Sequence, residues 1–292
     1  MILWLASYPK SGNTWVRTII GQIISHNFDT KKVFETAKQI RLYPSKIDFL
    51  DLDNDFKYKE FPKDKKKEIF DKTVINWEVS QSKINLNNKI NIFKTHNMLC
   101  KLEVGKKLYS FTNLENSLGV IHIVRDPRNI ISSLKNHFSF NSETKILEFI
   151  MNENQTLGIE ENAIPQLLSS WKNHYNSWKR FPKNNLLIKY EDLILNPENE
   201  IKKIIKFLDQ FFKISLLDNQ INEIILNTSF ENLQDLEKKG LFDENALNNK
   251  TGEVKKFFNM GVKNNWKKLL SENISNKIEQ QFKNEMKELG YL

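Results

Sequence analysis

Trp4-Leu5-Ala6-Ser7-Tyr8-Pro9-Lys10-Ser11-Gly12-Asn13-Thr14-Trp15 is the stretch that decides the fold of this chain. An apolar, β-prone run from Ile2 to Tyr8 stops at a proline, and a Lys-Ser-Gly-Asn-Thr turn follows. From Trp15 to Ile24 the apolar residues then recur at helical spacing. A strand, a tight turn and a helix start in that order make a site for an anion. The first helical N–H groups have no partner inside the helix, the helix dipole is positive at that end, and a glycine lets the backbone come close to a phosphate. Lys10, Ser11, Asn13 and Thr14 add a cation and neutral donors around Gly12.

Working outward, three more β-prone runs are separated by helical segments: Ile90–Phe93, Gly119–Val124 and Asn185–Tyr190. The four runs lead into Lys10, into Lys94-Thr95-His96, into Arg125, and into Tyr190-Glu191-Asp192. In an open parallel sheet, ligands bind outside the carboxyl ends of the strands, so the pattern collects a lysine, a histidine, an arginine and a tyrosine at one edge. The expected fold is α/β, a single domain over residues 1–292, with a central parallel β-sheet flanked by helices and a P-loop-like phosphate loop. Asp126-Pro127 reads as a helix start, an acidic cap followed by proline at the first helical position. Trp171, Tyr175 and Trp178 read as a core stripe, and Trp266 to Leu289 as a closing helical segment. Asn227 to Phe230 interrupts the helical pattern, and residues 238–256 read as a loop.

Composition narrows the classes. Hydrophobic residues make up 39% of the 292 and charged residues 27%, the balance of a chain that folds around a core in water. The net charge of +8 favours an anionic partner; taken alone it fits a phosphate-bearing ligand, a membrane surface or nucleic acid about equally. The lysine run at residues 63–67 lacks the interleaved aromatics of a nucleic-acid surface and reads as the solvated side of a helix. Cys100 is the single cysteine, so no internal disulfide forms. With no span long enough for a bilayer and no room for a leader before the first strand, the expected location is cytoplasmic. Asp51, Asp53 and Asp55 imitate a calcium loop, but Phe56 and Pro62 stand where it needs glycine and glutamate, so no metal is expected.

A Walker A loop needs Gly-x-x-x-x-Gly-Lys-[Ser/Thr]; here the lysine precedes the only glycine, which disfavours a nucleotide kinase. Tyr8 to Trp15 instead resembles the 5′-phosphosulfate loop of sulfotransferases that use 3′-phosphoadenosine 5′-phosphosulfate (PAPS), with Asn13 in place of their usual threonine. Val124 to Ser133, an arginine followed eight residues later by a serine, resembles their 3′-phosphate motif. Lys94-Thr95-His96 matches their catalytic segment, and Tyr190-Glu191-Asp192 and Thr228-Ser229-Phe230 their adenine-side segments. These motifs occur in the family's order.

The resemblance implies roles for these positions. Lys10 would stabilise charge on the leaving phosphate oxygen, with Ser11, Gly12, Asn13 and Thr14 holding the 5′-phosphate. Trp15 and Phe230 would stack on adenine, while Tyr190 and Thr228 read its edge beside Ser229. Arg125 and Ser133 would bind the 3′-phosphate. His96 would take a proton from a hydroxyl or amine, and Lys94 would stand near the sulfuryl group. The implied acceptor is a small molecule, sugar or lipid, not nucleic acid, and the implied product is adenosine 3′,5′-bisphosphate (PAP). The family's Arg-Lys-Gly segment appears as Asn259-Met260-Gly261, leaving Lys255, Lys256 or Lys263 to replace the lost cations. Its dimerisation segment is not recognisable in Lys267 to Ser275. A non-catalytic nucleotide-binding protein is the other reading kept open.

Overall fold

The computed structural model describes residues 1–45, 48, 65–84, 89–138, 140, 142–158, 164–244 and 255–292. The calcium-like run at 51–55 with Pro62, and residues 245–254 of the expected loop, lie outside them. In chain order the strands among the described residues are β1 (Ile2–Ser7), β2 (Arg41–Leu42), β3 (Asn91–Thr95), β4 (Lys101–Val104), β5 (Lys107–Ser110), β6 (Ser117–Val124), β7 (Thr156–Leu157), β8 (Gln166–Leu167) and β9 (Asn184–Lys189). The α-helices are α1 (Asn13–Ser25), α2 (Val33–Ala37), α3 (Lys66–Ile84), α4 (Pro127–Phe138), α5 (Glu143–Met151), α6 (Trp171–Lys179), α7 (Tyr190–Leu195), α8 (Pro197–Leu208), α9 (Asp218–Asn227), α10 (Phe230–Lys238), α11 (Trp266–Leu269), α12 (Glu272–Gln281) and α13 (Lys283–Glu288).

The α/β reading holds: a central parallel sheet flanked by helices, with strands in the order β2-β3-β1-β6-β9. All four β-prone runs are strands of this sheet. The fifth, β2, is two residues long and too short to carry an alternation signal, and it pairs parallel with β3 through Arg41 opposite Phe93. Every residue of β1 is buried, which is why the segment reads as a continuous apolar run rather than an alternating one. β1 pairs parallel with β3, Leu5 opposite Lys94 and Ala6 opposite Thr95. With β3 on one side of β1 and β6 on the other, the strand order reverses at β1, so the chain leaves Ser7 at the switch point of the sheet.

The chain divides into two compact units. The first holds residues 1–8, 41–122 and 149–187. Its core centres on Trp4, whose ring meets Tyr43 at 5.4 Å and Phe111 at 5.5 Å and whose indole N–H donates to Ser117 Oγ at 3.0 Å. Trp77, Phe93, Val120 and Trp178 belong to the same cluster. Trp171, Tyr175 and Trp178 are all buried, as a core stripe should be. The second unit holds residues 9–40, 123–148 and 188–292. Its aromatic cluster comprises Phe34, Phe242 and Phe258 with Leu233 and Leu236, against which Trp15, Phe230 and Phe257 pack.

The described part of the lysine run, residues 65–68, enters α3 exposed while Ile69 is buried, a solvated face as read. Asp126 caps α4 by accepting from the Arg128 N–H at 2.9 Å. The closing segment, residues 266–289, is helical as read and is made of three helices. Leu270 turns extended (φ −114°, ψ 138°), and Phe282 leaves the helical region (φ −114°, ψ 22°) to sit fully buried. Periodicity alone does not show where such a segment breaks.

Candidate active site

In the second unit, the turn between Pro9 and Asn13 has two left-handed residues, Lys10 (φ 66°) and Gly12 (φ 101°). A β-carbon at position 12 would stand 2.7 Å from Cδ2 of Tyr190, so the close approach of that ring and the positive φ both require glycine. Gly12 is also the N-cap of α1 and supplies no side-chain oxygen to its first N–H groups. Ser11 is fully buried, and its Oγ has no hydrogen-bond partner among the described residues; the same holds for the indole N–H of Trp15. Buried polar groups without partners cost about 1–3 kcal/mol each, and where several meet an uncapped helix start they mark a seat for a polar ligand.

Lys10 is held in an unusual state. Its Nζ lies 3.9 Å from the centroid of the Phe257 ring. Burial, then the nearby positive charge of Arg125, push its pKa down to about 8, against the opposing pull of Glu237. Positive φ at a non-glycine residue stores on the order of 1–3 kcal/mol of strain, a feature that clusters at functional sites.

Arg125, at the end of β6, donates from Nη1 to the Lys10 carbonyl at 2.9 Å and lies with Cζ 3.9 Å over the Tyr190 ring. Its Nε is buried without a partner among the described residues. Ser133 is half-buried in the second turn of α4. Tyr190 meets Trp15 edge-on at 5.6 Å. The next residue, Glu191, ties these strand ends together by accepting the Asp126 N–H at 3.0 Å and the Tyr291 hydroxyl at 2.9 Å. Burial pushes its carboxyl pKa up. Glu191 is visible in the sequence only as a motif letter, and nothing in the sequence pointed to Tyr291.

The segments expected on the adenine side differ in what engages them. Phe230 faces Gly261 so closely that a β-carbon there would meet its ring at 2.7 Å, and Gly261 has φ 52°. Thr228 donates its hydroxyl to the Ile224 carbonyl at 2.7 Å, leaving only oxygen lone pairs to read a base edge. Ser229 caps α10 by accepting from the Asn232 N–H at 3.3 Å, so its hydroxyl oxygen is engaged in starting that helix. Around the altered Asn259-Met260 pair, the two carboxylate oxygens of Glu237 accept the N–H groups of Phe257 (2.6 Å) and Phe258 (3.0 Å). Of the three candidate lysines, Lys255 donates to the His137 carbonyl on α4 at 3.3 Å, while Lys256 and Lys263 are exposed.

The first unit carries Lys94 and His96. Lys94 lies on β3, half-buried, its carbonyl accepting the Tyr43 N–H at 2.9 Å. Nδ1 of His96 is 2.8 Å from the Ser7 carbonyl oxygen. A carbonyl only accepts, so Nδ1 carries the hydrogen, and in the neutral ring the proton-accepting nitrogen is then Nε2. Ser7 stands three residues before Lys10 in the chain. His174, one turn into α6, is buried, and burial holds its imidazole neutral.

A left-handed glycine turn after β1, with a half-buried lysine, a strand-end arginine and orphaned polar groups, makes a seat of the kind that suits an anionic ligand in an α/β protein. The family is the sulfotransferase domain, which matches residues 2–290, and this chain belongs to it. Among curated relatives, Sulfotransferase 1B1 of Canis lupus familiaris is 25% identical over 97% of this chain and 82% of its own length. Sulfotransferase 1E1 of Rattus norvegicus is 24% identical over 98% and 83%. Cytosolic sulfotransferase 8 of Arabidopsis thaliana is 25% identical over 94% and 73%. Two solved structures share the fold. Retinol dehydratase in complex with androsterone and the inactive cofactor PAP has TM-score 0.57 and 17% identity, over 98% of this chain and 80% of that one. Mouse sulfotransferase SULT7A1 complexed with PAP has TM-score 0.55 and 19% identity, over 98% and 84%.

Proposed function

We propose that this chain transfers a sulfuryl group from PAPS to a hydroxyl or amine of a small-molecule, sugar or lipid acceptor by in-line displacement. The observation that carries the reading is the convergence on the Lys10–Trp15 turn: a glycine-only cradle, the buried Ser11 hydroxyl and Trp15 N–H, and the Arg125 guanidinium on the Lys10 carbonyl. Such a set fits a nucleotide with separated phosphates. The relatives described as sulfotransferases and the PAP-bound fold neighbours support the choice of nucleotide.

PAPS, when bound, supplies the sulfuryl group on its 5′-phosphate. Ser11, Gly12, Asn13 and Thr14 hold the 5′-phosphate on the uncapped start of α1. Arg125 and Ser133 bind the 3′-phosphate. Trp15 and Phe230 hold the adenine faces, Tyr190 and Thr228 its edge, with Ser229 and Gly261 shaping that end. Lys10 places its ammonium where negative charge develops on the leaving oxygen, and Lys94 stands by the transferred group. His96 accepts the acceptor's proton at Nε2 while Ser7 holds Nδ1–H. Most of the rate then comes from positioning and charge stabilisation, as in phosphoryl transfer. A cytoplasmic location belongs to the same proposal, supported by relatives described as cytosolic.

Asn259-Met260, in place of the family's cationic pair, favours a second reading, a protein that binds the nucleotide without turnover. Labelled PAPS with a panel of alcohols, phenols, sugars and lipids decides between them. Transfer that falls by about 10²–10³ in both Lys10→Ala and His96→Ala, with the variants folded, supports the enzyme. PAP binding with no transfer to any acceptor supports the binding protein, and full activity in both variants overturns the assigned roles.

A further inference from the structure

His96 sits just past the end of β3, where strand pairing stops at Thr95, so its own N–H needs a partner from elsewhere. That partner is a side chain: Gln166 Oε1, on the short strand β8, accepts the His96 N–H at 3.0 Å. Gln166 is itself only 6% exposed. The same strand runs on beside the turn, its Leu167 carbonyl accepting from Met98 at 2.8 Å and its N–H donating to Asn97 Oδ1 at 2.8 Å. From α6, Trp178 donates to the Asn97 carbonyl at 2.7 Å and Ser177 accepts from the Leu99 N–H at 3.0 Å. Residue 96 is therefore gripped at both ends, the ring by the Ser7 carbonyl and the main chain by the Gln166 carboxamide.

We propose that Gln166 is a positioning residue for His96, fixing the backbone from which the imidazole presents Nε2. The inference rests on the reading of His96 as the general base. A neutral carboxamide suits the position. Its oxygen accepts the N–H, its nitrogen keeps both hydrogens, and it sets no charge beside an imidazole that must gain and lose a proton. A carboxylate there would keep the acceptor but hold the imidazolium form. An alanine would free the N–H and let the ring drift from the Ser7 carbonyl. A misplacement of about 1 Å is enough to cost on the order of 100-fold in rate.

Two measurements on the full-length protein test this. The first is an NMR pH titration of the His96 ring, assigned by its loss in His96→Asn, in Gln166→Glu and Gln166→Ala with PAP present and absent; it needs no acceptor. The expected result is an upward shift of the His96 pKa in Gln166→Glu. In Gln166→Ala the Nδ1-protonated tautomer should give way to a mixture. The second is kinetic: Gln166→Ala lowers kcat about 10- to 100-fold while acceptor KM and PAP affinity stay within about twofold. Gln166→Glu recovers kcat on the alkaline side of its displaced profile. A His96 titration and tautomer unchanged in both variants overturns the inference. So does a kcat loss in Gln166→Ala that tracks its loss of folded protein and of PAP affinity. Full activity in His96→Ala is a separate outcome, overturning the reading of the base and this inference with it.

Discussion

Lys10 is a cation in an apolar seat, packed on Phe257 and close to a second cation, Arg125. Its folded pKa, about 8, lies below the ordinary 10.5. Between those values the unfolded chain holds a proton that the folded chain has released, so Lys10's contribution makes stability rise with pH across that window. Below about pH 8 the penalty is fully present. An anion seated on the turn reverses the balance by favouring the ammonium. PAP binding at pH 8.5 is therefore expected to take up protons, measured by calorimetry in buffers of different ionisation enthalpy, and Lys10→Met to abolish the uptake. No uptake in the wild type would count against a phosphate contact at Lys10. At Gly12 the two constraints coincide, positive φ and a ring where a side chain would begin. Gly12→Ala is expected to weaken PAP at least about tenfold and to lower the urea midpoint, since φ strain alone costs about 1–2 kcal/mol. An alanine variant with wild-type PAP affinity would show that the turn does not form the seat.

At the scale of elements, the start of α4 connects the segment after β6 to the chain's last residues. Asp126 caps the helix and is 4% exposed. Arg128 grips it at 2.7 Å, reaches Glu279 on α12 at 2.6 Å, and donates to the Tyr291 carbonyl at 2.7 Å. Trp266 lies under the same guanidinium at 4.0 Å. Removing Arg128 leaves a buried carboxylate uncompensated, a loss that runs to about 3–5 kcal/mol. Arg128→Ala should therefore lose about that much in urea denaturation, and a loss under about 1 kcal/mol would mean that the clamp is relaxed in solution. The Asp126-Pro127 start of this helix is plain in the sequence because a cap is a local feature. The Arg128 contacts are not plain, because Glu279 and Tyr291 lie more than 150 residues away and leave no spacing pattern.

For the whole molecule, the chain's division separates the two halves of the proposed chemistry. Lys10 to Trp15, Arg125, Ser133, Tyr190, Thr228 to Phe230 and Gly261 all belong to the second unit. Lys94, His96 and Gln166 belong to the first. A ligand that binds the folded state stabilises it by RT ln(1 + [L]/Kd), about 2.7 kcal/mol at a hundred times Kd. Hydrogen exchange with saturating PAP is expected to slow most in residues 10–17, 125–133 and 228–233. Protection spread evenly over both units, or confined to the first, would contradict the assignment of the nucleotide residues.

What the sequence by itself determined is whatever depends on neighbours in the chain. The apolar run of β1, the proline stop, the glycine turn and the amphipathic start of α1 are local, and so is the cap at Asp126. From these come the four main strands, the fold class and the positions of Lys10, His96, Arg125 and Tyr190, together with the family motifs. Tertiary structure alone decided what meets those residues. It put Phe257 on the Lys10 ammonium, the Ser7 carbonyl on His96 Nδ1, Gln166 on the His96 N–H, and Glu191 between Asp126 and Tyr291. It also divided the closing segment into three helices, with Phe282 buried at the second break. The reason is physical. Propensity and capping act over one or two turns of chain, whereas burial and pKa shifts depend on which distant segments arrive, and packing specifies that without any periodic trace in the sequence.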